Sequence, residues 1–412
     1  MLSKSLSGKN VRIDIAEKYC YIALLMQIIF CVKMYTVFYF SSRNISIGWP
    51  LSGLVFDPFH RFTDWLTVYG ASRVHDPYVT SPSGATGPPY GYSLLYIVSL
   101  AKYFGPRHYY FYLVSIFLSL NYAIFAKAMP TGFSLKSISA YMSIVVVLYP
   151  LYFMVDRGNA DIVAAVFISM YFVLSLYRFK NQELILATIL SFVTSLKPSL
   201  LLFSLPMLFM LNYKNVLVFL LINLTVYLYP VFFLGEKLLY MPTLVISAQK
   251  ILGDNPILFH HDLALVLSIF HINVSVKYVA ISLIGACLLL LFYLRYSRAG
   301  VDKGLVVALV AEVTMLANHP SPDYRMLLLF PIYLYMSRII SENGTMTVQD
   351  KAIFIISFVL TMSFDNIPIN GDLVYVSVLK FLGIVMALYY TVKLMFITTG
   401  ETEPMASACN NS

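Results

Sequence analysis

Apolar residues in this chain come in long runs separated by short polar breaks. A helix that crosses a bilayer needs about 20 apolar residues, and somewhat shorter runs are tolerated inside a bundle. Such runs fall at about 20–40, 108–126, 137–154, 159–177, 182–196, 199–212, 215–234, 277–294, 304–318, 324–338, 352–367 and 373–395. The pattern predicts an all-α polytopic membrane bundle of about twelve transmembrane helices. It forms one integral-membrane domain, residues 1–398, followed by a short polar tail, 399–412. The run from Cys20 to Phe40 is too long for a signal-peptide core and has no small-residue exit, so it reads as an uncleaved first span. The stretch 88–104 is also apolar, and counting it as a crossing would invert every later loop.

Composition narrows the class. Of 412 residues, 59% are hydrophobic and 12% charged, against about 25% charged in an ordinary soluble domain. Mean hydropathy is +0.77. A water-soluble fold cannot hide that much apolar surface, so soluble enzymes, disordered or fibrous chains and nucleic-acid-binding domains are excluded. The net charge of +8 fits basic loops held against an anionic leaflet, not a nucleic-acid partner. Cys20, Cys31, Cys287 and Cys409 form no CxxC or Cys/His cluster, so no zinc site or disulfide framework is expected.

Charge also chooses the threading. With 88–104 held in the outer interface, the cytoplasmic segments carry Lys4, Lys9, Arg12, Lys18, Lys127, Lys136, Arg178, Lys180, Lys214, Arg295, Arg298, Lys303, Arg338, Lys351 and Lys393. These lie in short loops or at span ends, where the positive-inside rule has force. The short outer turns keep only Arg157, Lys197 and Arg325. Both termini are then cytoplasmic, in a cell (inner or plasma) membrane.

This threading gathers the polar clusters on the outer face. Residues 61–72 suit a short interfacial helix with Phe62, Trp65, Leu66 and Tyr69 on one side. Asp57 and Asp64 flank its start, and either can serve as a general base or merely cap a helix. Asp156, Arg157, Asn159 and Asp161 open the span at 159–177, where capping and an Arg157–Asp161 i,i+4 pair compete with a role on a substrate path. Lys197, fixed in a tight turn by Pro198, can reach lipid phosphate or hold a substrate's phosphate. His260, His261 and Asp262 are too bunched for a metal site. His319, Asp323, Tyr324 and Arg325 occupy a Pro-rich turn, with Arg325 suited to a phosphate or a carboxylate. Lys33 and Glu312 lie within predicted spans as relays or structural pairs. No Walker A, GxSxG, HExxH or EF-hand pattern is present.

Taken in order, Asp64-Trp65, Asp76-Pro77-Tyr78, Pro88-Pro89-Tyr90, Arg157-Gly158-Asn159, Lys197-Pro198 and Ser321-Pro322-Asp323-Tyr324 resemble the motifs of glycosyltransferase family 87, the membrane mannosyltransferase-like group of GT-C architecture. Gly158-Asn159 stands where that family commonly has Gly-Gln, and the Trp that usually precedes the late Asp is absent. The resemblance implies a GT-C-like bundle with interfacial helices in the first outer loop. It implies inverting transfer of a mannose-like hexose from a polyprenyl-phosphate sugar to a glycan or glycolipid acceptor. By analogy Asp64 is the base and Asp57 the reserve, while Arg157, Asn159, Asp161, Lys197, His319, Asp323 and Arg325 bind substrate. No metal or cofactor is called for, because side-chain cations can meet the departing phosphate. Two other classes compete: a transporter or flippase for a lipid-linked glycan, and an outer-face glycan polymerase or ligase. No internal repeat or midplane polar cluster supports the transporter, and the 235–276 segment is only modestly rich in Arg and His for the ligase.

Overall fold

The computed structural model describes residues 62–74, 90–208, 213–238, 263, 266–267, 271–272, 275–297, 301–317, 323–342, 346–363 and 375–400. Regular structure among them is helical throughout. Two short helices come first, α1 (Thr63–Ala71) and α2 (Tyr92–Ser99), the latter prolonged by a 3-10 turn at Leu100–Tyr103. At 1.5 Å per residue the eight residues of α2 rise about 12 Å. Even with its 3-10 turn the element falls well short of a hydrocarbon core about 30 Å thick.

The long α3 (Pro106–Ala128) follows, with Pro106 at its first turn, where a missing N–H costs nothing. Next come α4 (Leu135–Val146) and α5 (Tyr149–Arg157). Ser134 and Ser137 cap α4 reciprocally. The single span expected at 137–154 is bent by 68° between these two helices. Pro150 is the reason: sitting in the first turn of α5, it has no N–H to continue the hydrogen-bond ladder of α4.

Two apolar helices of fifteen residues each, α6 (Asp161–Ser175) and α7 (Gln182–Leu196), form a hairpin. The expected span at 199–212 is instead a 3-10 helix, Pro198–Leu208, with Pro206 inside it. Then come α8 (Tyr213–Phe233), α9 (Val276–Ser297) and α10 (Lys303–Ala317). The expected span at 324–338 divides into a 3-10 segment, Asp323–Leu329, and α11 (Phe330–Glu342). The chain closes with α12 (Val348–Met362), capped by Thr347 and Asp350, and α13 (Tyr375–Gly400).

Four of these helices are long and apolar enough to cross a bilayer: Pro106–Ala128, Lys214–Phe233, Tyr278–Tyr296 and Val378–Thr398, or five spans if the bent pair counts as one. The chain is therefore a helical protein with apolar helices suited to membrane insertion. The expected first span, 20–40, lies outside the described residues. At the centre of the bundle stands α10, buried from Gly304 to Ala317. A side chain at Gly304 would meet the Tyr335 ring at 2.5 Å, so the missing Cβ lets α10 and α11 touch. Buried polar pairs join other helices. Asn121 donates to Ser169 Oγ at 2.8 Å between α3 and α6, and the Tyr333 hydroxyl meets Ser357 and Thr361 at 2.8 and 3.0 Å. Such pairs satisfy polar groups where no water competes.

Candidate functional site

The site is built where α1, the α5–α6 turn and the turn after α7 meet. α1 is pinned at its N-terminal end by two hydrogen bonds. The Phe62 N–H donates to Asp156 O at 2.8 Å, and the indole N–H of the fully buried Trp65 donates to Pro106 O at 2.8 Å. α5 stops at Gly158, whose left-handed backbone (φ +65°) ends the helix. A Cβ there would lie 2.9 Å from both the Phe62 ring and the Trp65 Cβ, so glycine is demanded twice, by conformation and by contact. Beneath this junction the buried Tyr110 hydroxyl donates to Met154 O at 2.8 Å and approaches Asn159 O at 3.3 Å.

The turn released by Gly158 presents Asn159. Its Nδ2 donates to Asp64 Oδ2 at 3.1 Å, and its Oδ1 accepts the Asp161 N–H at 2.9 Å. Asp161, the first residue of α6, receives Lys197 Nζ at 3.0 and 3.3 Å on its two oxygens, and Arg325 Nε stands 3.5 Å from Oδ2. Asn159, Asp161, Lys197 and Arg325 are all buried, while Asp64 is only partly so.

Lys197 is held from the far side by α2. The Gly91 N–H donates to Leu196 O at 2.8 Å, and Ser93 Oγ donates to Ser195 O at 2.8 Å. A Cβ on Gly91 would fall 1.8 Å from Ser195 O, a distance no side chain survives. The Lys197 ammonium lies 5.2 Å from the centre of the Tyr90 ring.

Five expected residues thus converge: Asp64, Asn159, Asp161, Lys197 and Arg325. Arg157 stands near enough to act on Asp64 through space, but the i,i+4 pairing open to it is not made. Its guanidinium lies 5.8 Å from the Phe153 ring, while the Asp161 carboxylate is taken by cations from other segments. Asp57 and His319 lie outside the described residues, as do Lys33 and the His260-His261-Asp262 group. Asp323 opens the 3-10 segment that carries Arg325, and its side chain is likewise outside. The face expected of α1 differs in part: Trp65, Val68 and Ala71 are buried, whereas Leu66 is 37% exposed. Sequence reasoning passed over Gly91 and Tyr110. Gly91 directly follows the Pro-Pro-Tyr run, a local signal of close backbone approach; Tyr110 gave none.

Electrostatically the two carboxylates differ. Burial pushes the Asp64 carboxyl above its ordinary range. The Asn159 amide and the charges of Arg157 and Lys197 pull it back only in part, and Asp161 adds to the push. Asp161 is clasped by two cations, an arrangement suited to a permanent anion. Among the described residues no group of three His, Cys, Asp or Glu side chains is placed to hold a metal ion.

No protein-family model, curated protein or solved structure matches this chain.

Proposed function

We propose that the chain is an integral-membrane glycosyltransferase that moves a mannose-like hexose from a polyprenyl-phosphate sugar to a glycan or glycolipid acceptor. In this reading it threads about twelve spans, with cytoplasmic termini and Asp64 on the non-cytoplasmic face. One observation carries the reading: a partly exposed, proton-accepting carboxylate is joined through a single amide to a buried two-cation cluster. That is the pairing an inverting transfer needs. Asp64 takes the proton of the acceptor hydroxyl as the oxygen attacks the anomeric carbon. The bond from that carbon to the phosphate oxygen breaks, and its electron pair leaves with the polyprenyl phosphate. Lys197 and Arg325 carry two positive charges against the one negative charge of Asp161, so the cluster has charge left over for the departing anion. The raised proton affinity of Asp64 makes it a stronger base than an exposed aspartate.

The test is release of free polyprenyl phosphate from polyprenyl-phosphate mannose by membranes containing the protein. Asp64→Asn should abolish release while expression and thermal stability stay as in the wild type. Full turnover by Asp64→Asn removes Asp64 as the base; no release from any polyprenyl-phosphate hexose even by the wild type removes the transferase reading.

A further inference from the structure

Beside the site stands a corner that combines charge and aromatic surface differently. α3, long enough to cross a bilayer, begins at Pro106, and Lys102, Arg107 and His108 lie within four residues of that start. Arg73 follows α1, which the Trp65–Pro106 hydrogen bond ties to the same place. All four basic side chains are exposed, and none makes an ion pair among the described residues. No Asp or Glu occurs between residues 90 and 128. Three of the cations rest against rings instead: Lys102 Nζ is 4.8 Å from the Tyr103 centroid, and the guanidinium carbons of Arg107 and Arg73 are 5.9 and 5.6 Å from Phe62 and Tyr69.

The rings form a continuous ledge. Trp65 packs on Tyr109 at 6.2 Å, Tyr109 stacks on Phe104 at 5.8 Å, and Phe104 meets Tyr112 edge-on at 5.9 Å. Tyr103 is 71% exposed, and Phe104 and Tyr112 are each 55% exposed. Aromatic side chains at the first turn of a spanning helix sit at headgroup depth. Basic side chains there lie against lipid phosphates, with their stems on the apolar surface below. The outward face of α8 is a useful contrast, because Leu217, Leu220, Leu221 and Leu224 offer lipid only apolar contact. The corner at α3 has an unspent positive charge that plain lipid tails do not satisfy.

We propose that the Lys102–Arg107–Arg73 corner is a seat for the phosphate headgroup of an anionic phospholipid. The Tyr103–Phe104–Tyr112 ledge receives its glycerol and upper acyl region. Charge complementarity names the occupant: several cations, none paired with an acid among the described residues, and rings placed where headgroup meets chain. Because α1 is fastened to this corner, the bound lipid sets the depth at which Asp64 stands relative to the bilayer. The seat does not depend on which reaction the neighbouring site performs.

Native mass spectrometry of the full-length protein in detergent micelles tests it, by titration with dioleoyl phosphatidylglycerol and dioleoyl phosphatidylcholine. The wild type should retain phosphatidylglycerol in preference to phosphatidylcholine. Lys102→Gln/Arg107→Gln should lower that preference about thirtyfold, as loss of two basic residues beside an anionic headgroup predicts. The charge-conserving Lys102→Arg/Arg107→Lys protein should keep it. Equal retention of both lipids by the wild type, or an undiminished preference in the neutral double variant, overturns the proposal. Displacement of the lipid by millimolar inorganic phosphate would overturn it in favour of a free-phosphate site. Should the double variant fail to stay monodisperse, Arg107→Gln alone and the salt dependence of the wild type decide. A preference untouched by both the substitution and 0.5 M NaCl is not electrostatic and ends the proposal.

Discussion

Asp161 and Glu312 are both buried carboxylates, and their surroundings are opposites. The Asp161 carboxylate accepts from Lys197 and, through its second oxygen, stands against Arg325. Glu312, fully buried in the middle of α10, accepts one hydrogen bond from the Thr391 hydroxyl at 2.9 Å, and its other oxygen has no hydrogen-bond partner. No cation pairs with it among the described residues. Burial depth is the same; provision for charge is not. The difference teaches that a buried acid identifies a site only through what has been assembled around it. At Asp161 two separate segments each bring a cation, whereas the one hydrogen-bond donor at Glu312 is neutral.

The sharpest way to break this contrast is to remove each acid. Asp161→Ala would leave Lys197 and Arg325 buried without their shared anion, and breaking a buried pair in that way costs about 3–5 kcal/mol. Thermal unfolding in detergent should show a large drop, together with loss of any transfer activity; an unchanged midpoint would mean the cations find other partners. The second change acts on the link between Asp161 and Asp64. Asn159→Ala deletes a donor that favours ionised Asp64, so the Asp64 proton affinity should climb further. Activity that needs Asp64 ionised is lost as pH falls, and in the variant that acid limb should move to higher pH by about one unit, as loss of a charge-assisted hydrogen bond predicts. A limb that stays put or moves down contradicts the bridge. The smallest effect is expected at Glu312→Gln, whose amide oxygen still accepts from Thr391. A neutral group of equal shape should shift stability by less than about 1 kcal/mol, in either direction. A collapse as large as that of Asp161→Ala would reveal a counter-charge for Glu312 and erase the distinction.

Much of this was legible in the residue order. α7 begins and ends where the apolar run at 182–196 does, and α3 extends the run at 108–126 by two residues at each end. Two runs containing proline, 137–154 and 199–212, were misjudged, although Pro230 lies inside α8 without dividing it. Pro150 and Pro206 do not interrupt hydrophobicity, so an apolar count passes over them, yet each removes a backbone donor and reshapes its segment. At the site, outer polar turns were expected to meet, and Asp64, Asn159, Asp161, Lys197 and Arg325 do. Which side chain takes which partner was not readable. Local spacing offered Arg157 to Asp161 one turn away, but the partner came from Lys197, 36 residues along the chain, and Asn159 reached Asp64 across 95. Such pairings are decided by helix packing, and here by two glycines, Gly91 and Gly158, that permit contacts no other residue allows.

The buried indole of Trp65 gives the protein a built-in optical gauge. The chain contains only one other tryptophan, Trp49. In a Trp49→Phe background all tryptophan emission would therefore arise one residue from Asp64, from a ring shielded from water and fixed by its hydrogen bond to Pro106. Any ligand that shifts α1 would change the colour of that light, so occupancy of the neighbouring carboxylate can be followed without attaching a dye.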